Sequence, residues 1–133
     1  MARSNKVLID TNVLVYMYEH KRDIFDYVSE IISGAEFFIL DKSVIELEKV
    51  YKEKPRKLDA IKRYLKKMED AKKYAIINVD DGLYKKNFCK IDRLLIYFSK
   101  DYLIYTNDVR LKKKIKEKNG QTITLREYGA LIE

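Results

Sequence analysis

Four acidic residues far apart in the chain could act together: Asp10, Glu46, Asp92 and Asp108. Asp10 ends the apolar run Val7-Leu8-Ile9 and is followed by Thr11-Asn12. Asp108 follows the apolar run Tyr102-Leu103-Ile104-Tyr105 and then Thr106-Asn107. Carboxylates gathered in one cleft repel one another unless protons or a cation neutralise them. Oxygen donors without His or Cys suit Mg2+ or Mn2+ and disfavour zinc. A hard dication held this way activates water and supports in-line displacement at phosphorus. Each acid also has an ordinary role open to it. Asp10, Asp92 and Asp108 could cap helices, and Glu46 could be a surface residue or an acid favouring a helix N-terminus. Asp80 and Asp81 compete with Asp92 for the third place. Glu48 competes with Glu46, but two residues along a helix it points roughly to the opposite side.

These acids need elements that bring them to one edge. A run of apolar residues with no polar alternation suits a strand buried on both faces, as in parallel sheets. Five such strands are expected: at Val7-Leu8-Ile9, Phe37-Phe38-Ile39-Leu40, Ala75-Ile76-Ile77-Asn78-Val79, Tyr102-Leu103-Ile104-Tyr105 and Thr122-Ile123-Thr124-Leu125. Between them the apolar residues recur at helical spacing. Asp23 is placed to cap the second helix, with Gly34 after it. Pro55 opens a long helix over residues 56–72, whose Leu58, Ile61, Leu65 and Met68 form one buried stripe. Residues 83–90 read as a helical turn or short helix, and residues 126–132 as a terminal helix or turn. The order β-α-α-β-α-α-β-α-β-α-β-α implies a single α/β domain over residues 1–133. Its central parallel sheet of about five strands is covered by helices on both faces. Ligands in such sheets bind beyond the carboxyl ends of the strands, and both Asp10 and Asp108 fall there.

Composition bounds the partners. The chain has 133 residues, 47% of them apolar, enough for one core without disulfides. Cys89 is the single cysteine, which excludes an internal disulfide framework and a Cys-rich zinc site. The N-terminal residues lack a signal-peptide apolar core and no run approaches membrane-spanning length, so a cytoplasmic protein without membrane contact is expected. The sole His20, read in a polar loop, leaves no pair for a two-histidine ribonuclease mechanism. No Gly-rich phosphate loop or nucleophile elbow is present, which counts against NTPase, dinucleotide-binding and serine-hydrolase functions.

The formal charge is +7. Between residues 49 and 73 there are eleven Lys or Arg against four Asp or Glu, a local excess equal to the whole net charge. Lys62, Arg63 and Lys66 lie on the outer side of that helix. A second cluster, including Arg110, Lys112 and Lys113, directly follows Asp108. Such clusters hold a phosphate backbone without reading sequence, and an ordinary solvated lysine face has the same composition. Tyr16, Tyr18 and Tyr105 are candidates to stack on bases or to fill the core.

Taken in order, Val7-Leu8-Ile9-Asp10-Thr11-Asn12, Val44-Ile45-Glu46-Leu47, Ile91-Asp92-Arg93-Leu94-Leu95 and Tyr105-Thr106-Asn107-Asp108 resemble the PIN-domain ribonucleases. The resemblance is narrowest to the small archaeal type related to VapC toxins and to ribosomal-RNA-processing PIN proteins. It covers nearly the whole chain in element order. It implies a three-layer α/β/α fold and a Mg2+- or Mn2+-dependent endoribonuclease. Asp10, Glu46, Asp92 and Asp108 would be its catalytic and metal-binding acids, with Asn12, Thr106 and Asn107 in support. The partners it implies are RNA, a second copy of the chain and an antitoxin-like protein. Two other readings stay open: an inactive PIN-type module that binds RNA or protein, and a nucleotide- or phosphate-binding regulator.

Overall fold

Val7, Leu8 and Ile9 are all fully buried, because both faces of their strand are covered. The computed structural model describes residues 5–133, so the N-terminal reading falls partly outside the described residues. β1 (Lys6–Ile9) is followed by α1 (Thr11–His20), α2 (Ile24–Ser29), β2 (Glu36–Leu40), α3 (Asp41–Val50) and α4 (Pro55–Asp70). β3 (Ala75–Ile77), α5 (Asp81–Lys86), α6 (Ile91–Phe98) and β4 (Leu103–Tyr105) come next. α7 (Val109–Glu117), β5 (Thr122–Arg126) and β6 (Gly129–Ile132) complete the described chain.

The strands form one sheet in the order β3-β2-β1-β4-β5-β6. Neighbours from β3 to β5 are parallel, and β6 is antiparallel to β5. The direction of winding reverses between β1 and β4, which leaves a crevice at their carboxyl ends. Alternation along the strands splits the core in two. Val7, Ile9, Phe37, Ile39, Leu103 and Tyr105 face one cluster, shared with α1, α2, α4 and Leu47. Leu8, Leu40 and Ile104 face the other, against Leu94 and Leu95 of α6 and Leu111 and Ile115 of α7.

Local chemistry fixes the boundaries. Asp23 accepts hydrogen bonds from the Phe25 and Asp26 amides, 3.1 and 3.0 Å, and starts α2. Asp23→Ala should therefore cost about 1 kcal/mol, read as a fall of a few degrees in the thermal midpoint. The stripe on α4 is as expected, with Ile61 and Leu65 buried and Leu58 and Met68 packed at its margins. The stretch after β3 is a short helix, ended by left-handed backbone at Phe88 and Cys89.

The C-terminal stretch differs from the reading of residues 126–132 as a terminal helix or turn. β5 runs on through Arg126, turns at Glu127 and Tyr128, and returns as β6 with Arg126 opposite Gly129 and Ile123 opposite Ile132. Without β6 the buried strand β5 would have a bare edge of unpaired main-chain groups. α2 packs against the added strand. Arg22 secures the turn, donating to the Glu127 carbonyl at 3.0 Å and lying over the Tyr128 ring. Among the described residues the sheet thus has six strands, the sixth antiparallel.

Candidate active site

Asp10 extends the β1–β4 ladder by one residue, its amide donating to the Tyr105 carbonyl at 2.9 Å. It then occupies the N-cap position of α1, yet its side chain makes no capping bond. The carboxylate turns inward instead. Oδ2 accepts a 2.8 Å hydrogen bond from the hydroxyl of Thr106, and only 6% of the residue is exposed. The fully buried Thr106 hydroxyl also accepts from the Asp108 amide at 3.1 Å. One hydroxyl thus ties together the ends of the two central strands. Thr106→Val keeps the shape and removes both bonds. It should destabilise the fold by about 1–3 kcal/mol, measured by urea denaturation, and raise the titration midpoint of Asp10.

Asp10, Glu46, Asp92 and Asp108 line one cleft of about 450 Å³ at this edge, together with Asn12. Asp108 serves two ends, since its Oδ1 also caps α7 by accepting from the Arg110 and Leu111 amides at 3.0 and 3.2 Å. Glu46 projects from α3, and its Oε2 is buried without a hydrogen-bond partner among the described residues. Asp92 sits in the first turn of α6, which it does not cap.

The electrostatics of the cleft follow from this crowding. Burial pushes the Asp10 carboxyl up to about 6, against the pull of the Thr106 hydrogen bond and with the help of Asp92 and Asp108. Burial raises Glu46 too, and the charges of Asp10 and Asp92 add to it. Asp92 is raised by burial and then by Asp108, with Lys114 and Lys90 opposing. Among the described residues, no three His, Cys, Asp or Glu side chains form a ready metal-binding group. The donor chemistry nevertheless fits a hard dication, because every donor is oxygen and one buried oxygen has no partner.

The competing acids are elsewhere. Asp80 caps α5 through the Leu83 amide, and Asp81 is held below the usual carboxylate range by Lys42, 2.7 Å away. Neither lines the cleft. Glu48 pairs with Lys62 at 3.3 Å. The nominated cations are mostly engaged. Arg63 pairs with Asp59 and Lys66 with Asp70 on the surface of α4. Lys112 is drawn in by Thr124 at 3.0 Å and Glu133 at 3.4 Å, while Arg110 and Lys113 are exposed. Asn107 is outside the cleft lining. Its amide clamps β5, with Oδ1 accepting from the Leu125 amide at 2.8 Å.

Of the tyrosines, Tyr105 is fully buried and donates to the Ile24 carbonyl, so no base can reach it. Tyr18 packs on Tyr64, and Tyr16 lines the cleft. His20 is not in a loop. It ends α1, because the left-handed turn comes only at Lys21, and it lines the cleft with Glu19 and Tyr51. The signal for His20 was its helical spacing from Asn12 and Tyr16, four residues apart each time.

Residues 7–87 match the model of the PIN domain. The chain belongs to the PIN-domain family. The matched span holds Asp10 and Glu46, and Asp92 and Asp108 lie beyond it. PIN-domain nucleases typically use divalent metals. The chain is 30% identical over 130 residues to Ribonuclease VapC4 of Methanocaldococcus jannaschii, covering 92% of this chain and 91% of that protein. Its fold is similar to that of the PIN domain endonuclease Utp24, with a TM-score of 0.68 at 22% identity over 96% of this chain and 90% of the other. Among the described residues no helix is long and apolar enough to cross a membrane.

Proposed function

We propose that this PIN domain is a Mg2+- or Mn2+-dependent endoribonuclease. The observation that carries the reading is the cleft at the β1–β4 switch, where Asp10, Glu46, Asp92 and Asp108 meet and one Glu46 oxygen is left without a partner. Relationship to a protein named as a ribonuclease supports RNA as the substrate. The four carboxylates would hold the cation, which when bound lends positive charge to the scissile phosphate and acidifies water. Asp10 is the fixed member, oriented by Thr106. Glu46 and Asp92 reach in from separate helices and are the members that adjust. Burial and neighbouring charges raise their proton affinity, and positive charge in the cleft would lower it again, favouring the ionised ligands. Arg110 and Lys113, exposed on α7 just after Asp108, would add phosphate contacts along the RNA backbone.

The test is cleavage of a mixed pool of single-stranded RNAs by purified protein in Mn2+ or Mg2+, with and without EDTA. Metal-dependent cleavage is expected. A catalytically silent RNA- or protein-binding module is the second reading, since no three acidic side chains among the described residues form a ready metal-binding group. It predicts no cleavage in any metal and RNA affinity that EDTA leaves unchanged. A second copy of the chain and an antitoxin-like protein are the partners of this reading. Light scattering and co-expression with the neighbouring open reading frame address them.

A further inference from the structure

The carboxylates account for only part of the cleft. Along α1 its lining continues through Tyr16, Glu19 and His20, and from the other side come Leu47, Val50 and Tyr51. At 1.5 Å per residue, Tyr16 lies about 9 Å and His20 about 15 Å along the helix from Asp10. The lining thus changes along α1 from the carboxylates to a mostly aromatic and apolar stretch that includes one acid, Glu19. Tyr16 and His20 stack, with ring centroids 4.2 Å apart and planes 30° from parallel. His20 is exposed and both residues line the cleft, so the tilted pair contributes aromatic surface to it. Lys57 joins the two walls, pairing with Glu19 of α1 at 3.5 Å and lying 5.2 Å from the centre of the Tyr51 ring. Packing does not require a histidine here, since its ring reaches solvent and joins no core cluster.

We propose that Tyr16, His20 and Tyr51 form a nucleobase subsite, which holds one unpaired base next to the phosphate at the carboxylates. It rests on the nuclease reading of the same cleft. Aromatic rings bind any base by stacking, without sequence readout. A base can enter only when it is free of its complementary strand, so the subsite restricts the protein to single-stranded or looped RNA. The volume of about 450 Å³ is within the range of sites that enclose a small ligand.

The experiment uses a single-stranded RNA with one mapped cut, and a series in which each flanking nucleotide in turn is abasic. His20→Ala and Tyr16→Leu are compared with wild type, and their folding is checked by thermal melts. On intact RNA each variant should raise KM about five- to a hundredfold, with kcat little changed. One abasic position should impose the same penalty on wild type, and there the variants should add nothing. Wild-type KM in both variants, or a penalty that persists on every abasic RNA, overturns the subsite. If wild type cuts no RNA in Mn2+, the nuclease reading fails instead. The same series is then compared by fluorescence anisotropy in EDTA, where loss of affinity at one abasic position, absent in the variants, is the result expected of the subsite and its absence overturns it.

Discussion

Asp10→Asn should cut RNA cleavage by at least about a hundredfold and, in EDTA at neutral pH, make the protein more stable. Loss of one supporting hydrogen bond in a metal site commonly costs 10–100-fold, so loss of a charged donor should cost at least about a hundredfold. The stability gain has a separate cause. A buried carboxyl raised to about 6 keeps its proton in the folded chain at pH values where the unfolded chain has lost it. That difference corresponds to about 3 kcal/mol of destabilisation once the pH is above both values. The amide of Asn carries no charge and still offers an oxygen to Thr106. Urea denaturation in EDTA at pH 7.5 should show the gain, and at pH 4 it should vanish. A variant that cleaves RNA at the wild-type rate, in a preparation free of contaminating nuclease, would sink the assignment of Asp10.

The second large effect is the response of wild-type stability to pH and metal. The folded-state affinity of Asp10 for protons is raised, so its stabilising contribution is complete below about pH 4 and lost as the pH rises through about 6. Glu46 and Asp92 are shifted in the same direction and reinforce the decline. In EDTA, stability should therefore fall between pH 4 and 6 from these groups. A bound dication reverses the sign, because it favours the deprotonated carboxylates. At a hundred times its dissociation constant it contributes about 2.7 kcal/mol, or roughly 10 °C in the thermal midpoint. Mn2+ should raise the midpoint strongly at pH 7.5 and weakly at pH 4.5. Equal shifts at both pH values would mean that the ion binds outside the cleft.

The parts of this site that rest on local pattern were readable from the chain. Val7-Leu8-Ile9 has no polar alternation, so it had to be buried on both faces, and an acid at its end had to be at the sheet edge. Pairings across the sequence left no such mark. Asp10 as an ordinary cap of α1 was equally plausible until the Thr106 hydroxyl was seen to hold its carboxylate. Lys112 looks like any surface lysine in a basic helix, but Thr124 of β5 and Glu133, brought back by β6, draw it inward. That strand was itself misread, because Gly129-Ala130-Leu131-Ile132 is too short to declare a period and owes its conformation to the edge of β5. His20 was missed because its polar neighbours suggested a loop. Helical spacing from Asn12 carried the opposite message.

The bond between Thr106 and Asp10 spans 96 residues of sequence. Contacts this distant close late, since the intervening chain must be ordered first. A nascent chain emerging from the ribosome has Asp10 and Glu46 long before β4 exists to seat them, and Asp108 comes later still. An incomplete translation product would therefore carry the first two acids without the threonine that orients them. The carboxylate cleft would be complete only when most of the polypeptide has left the exit tunnel.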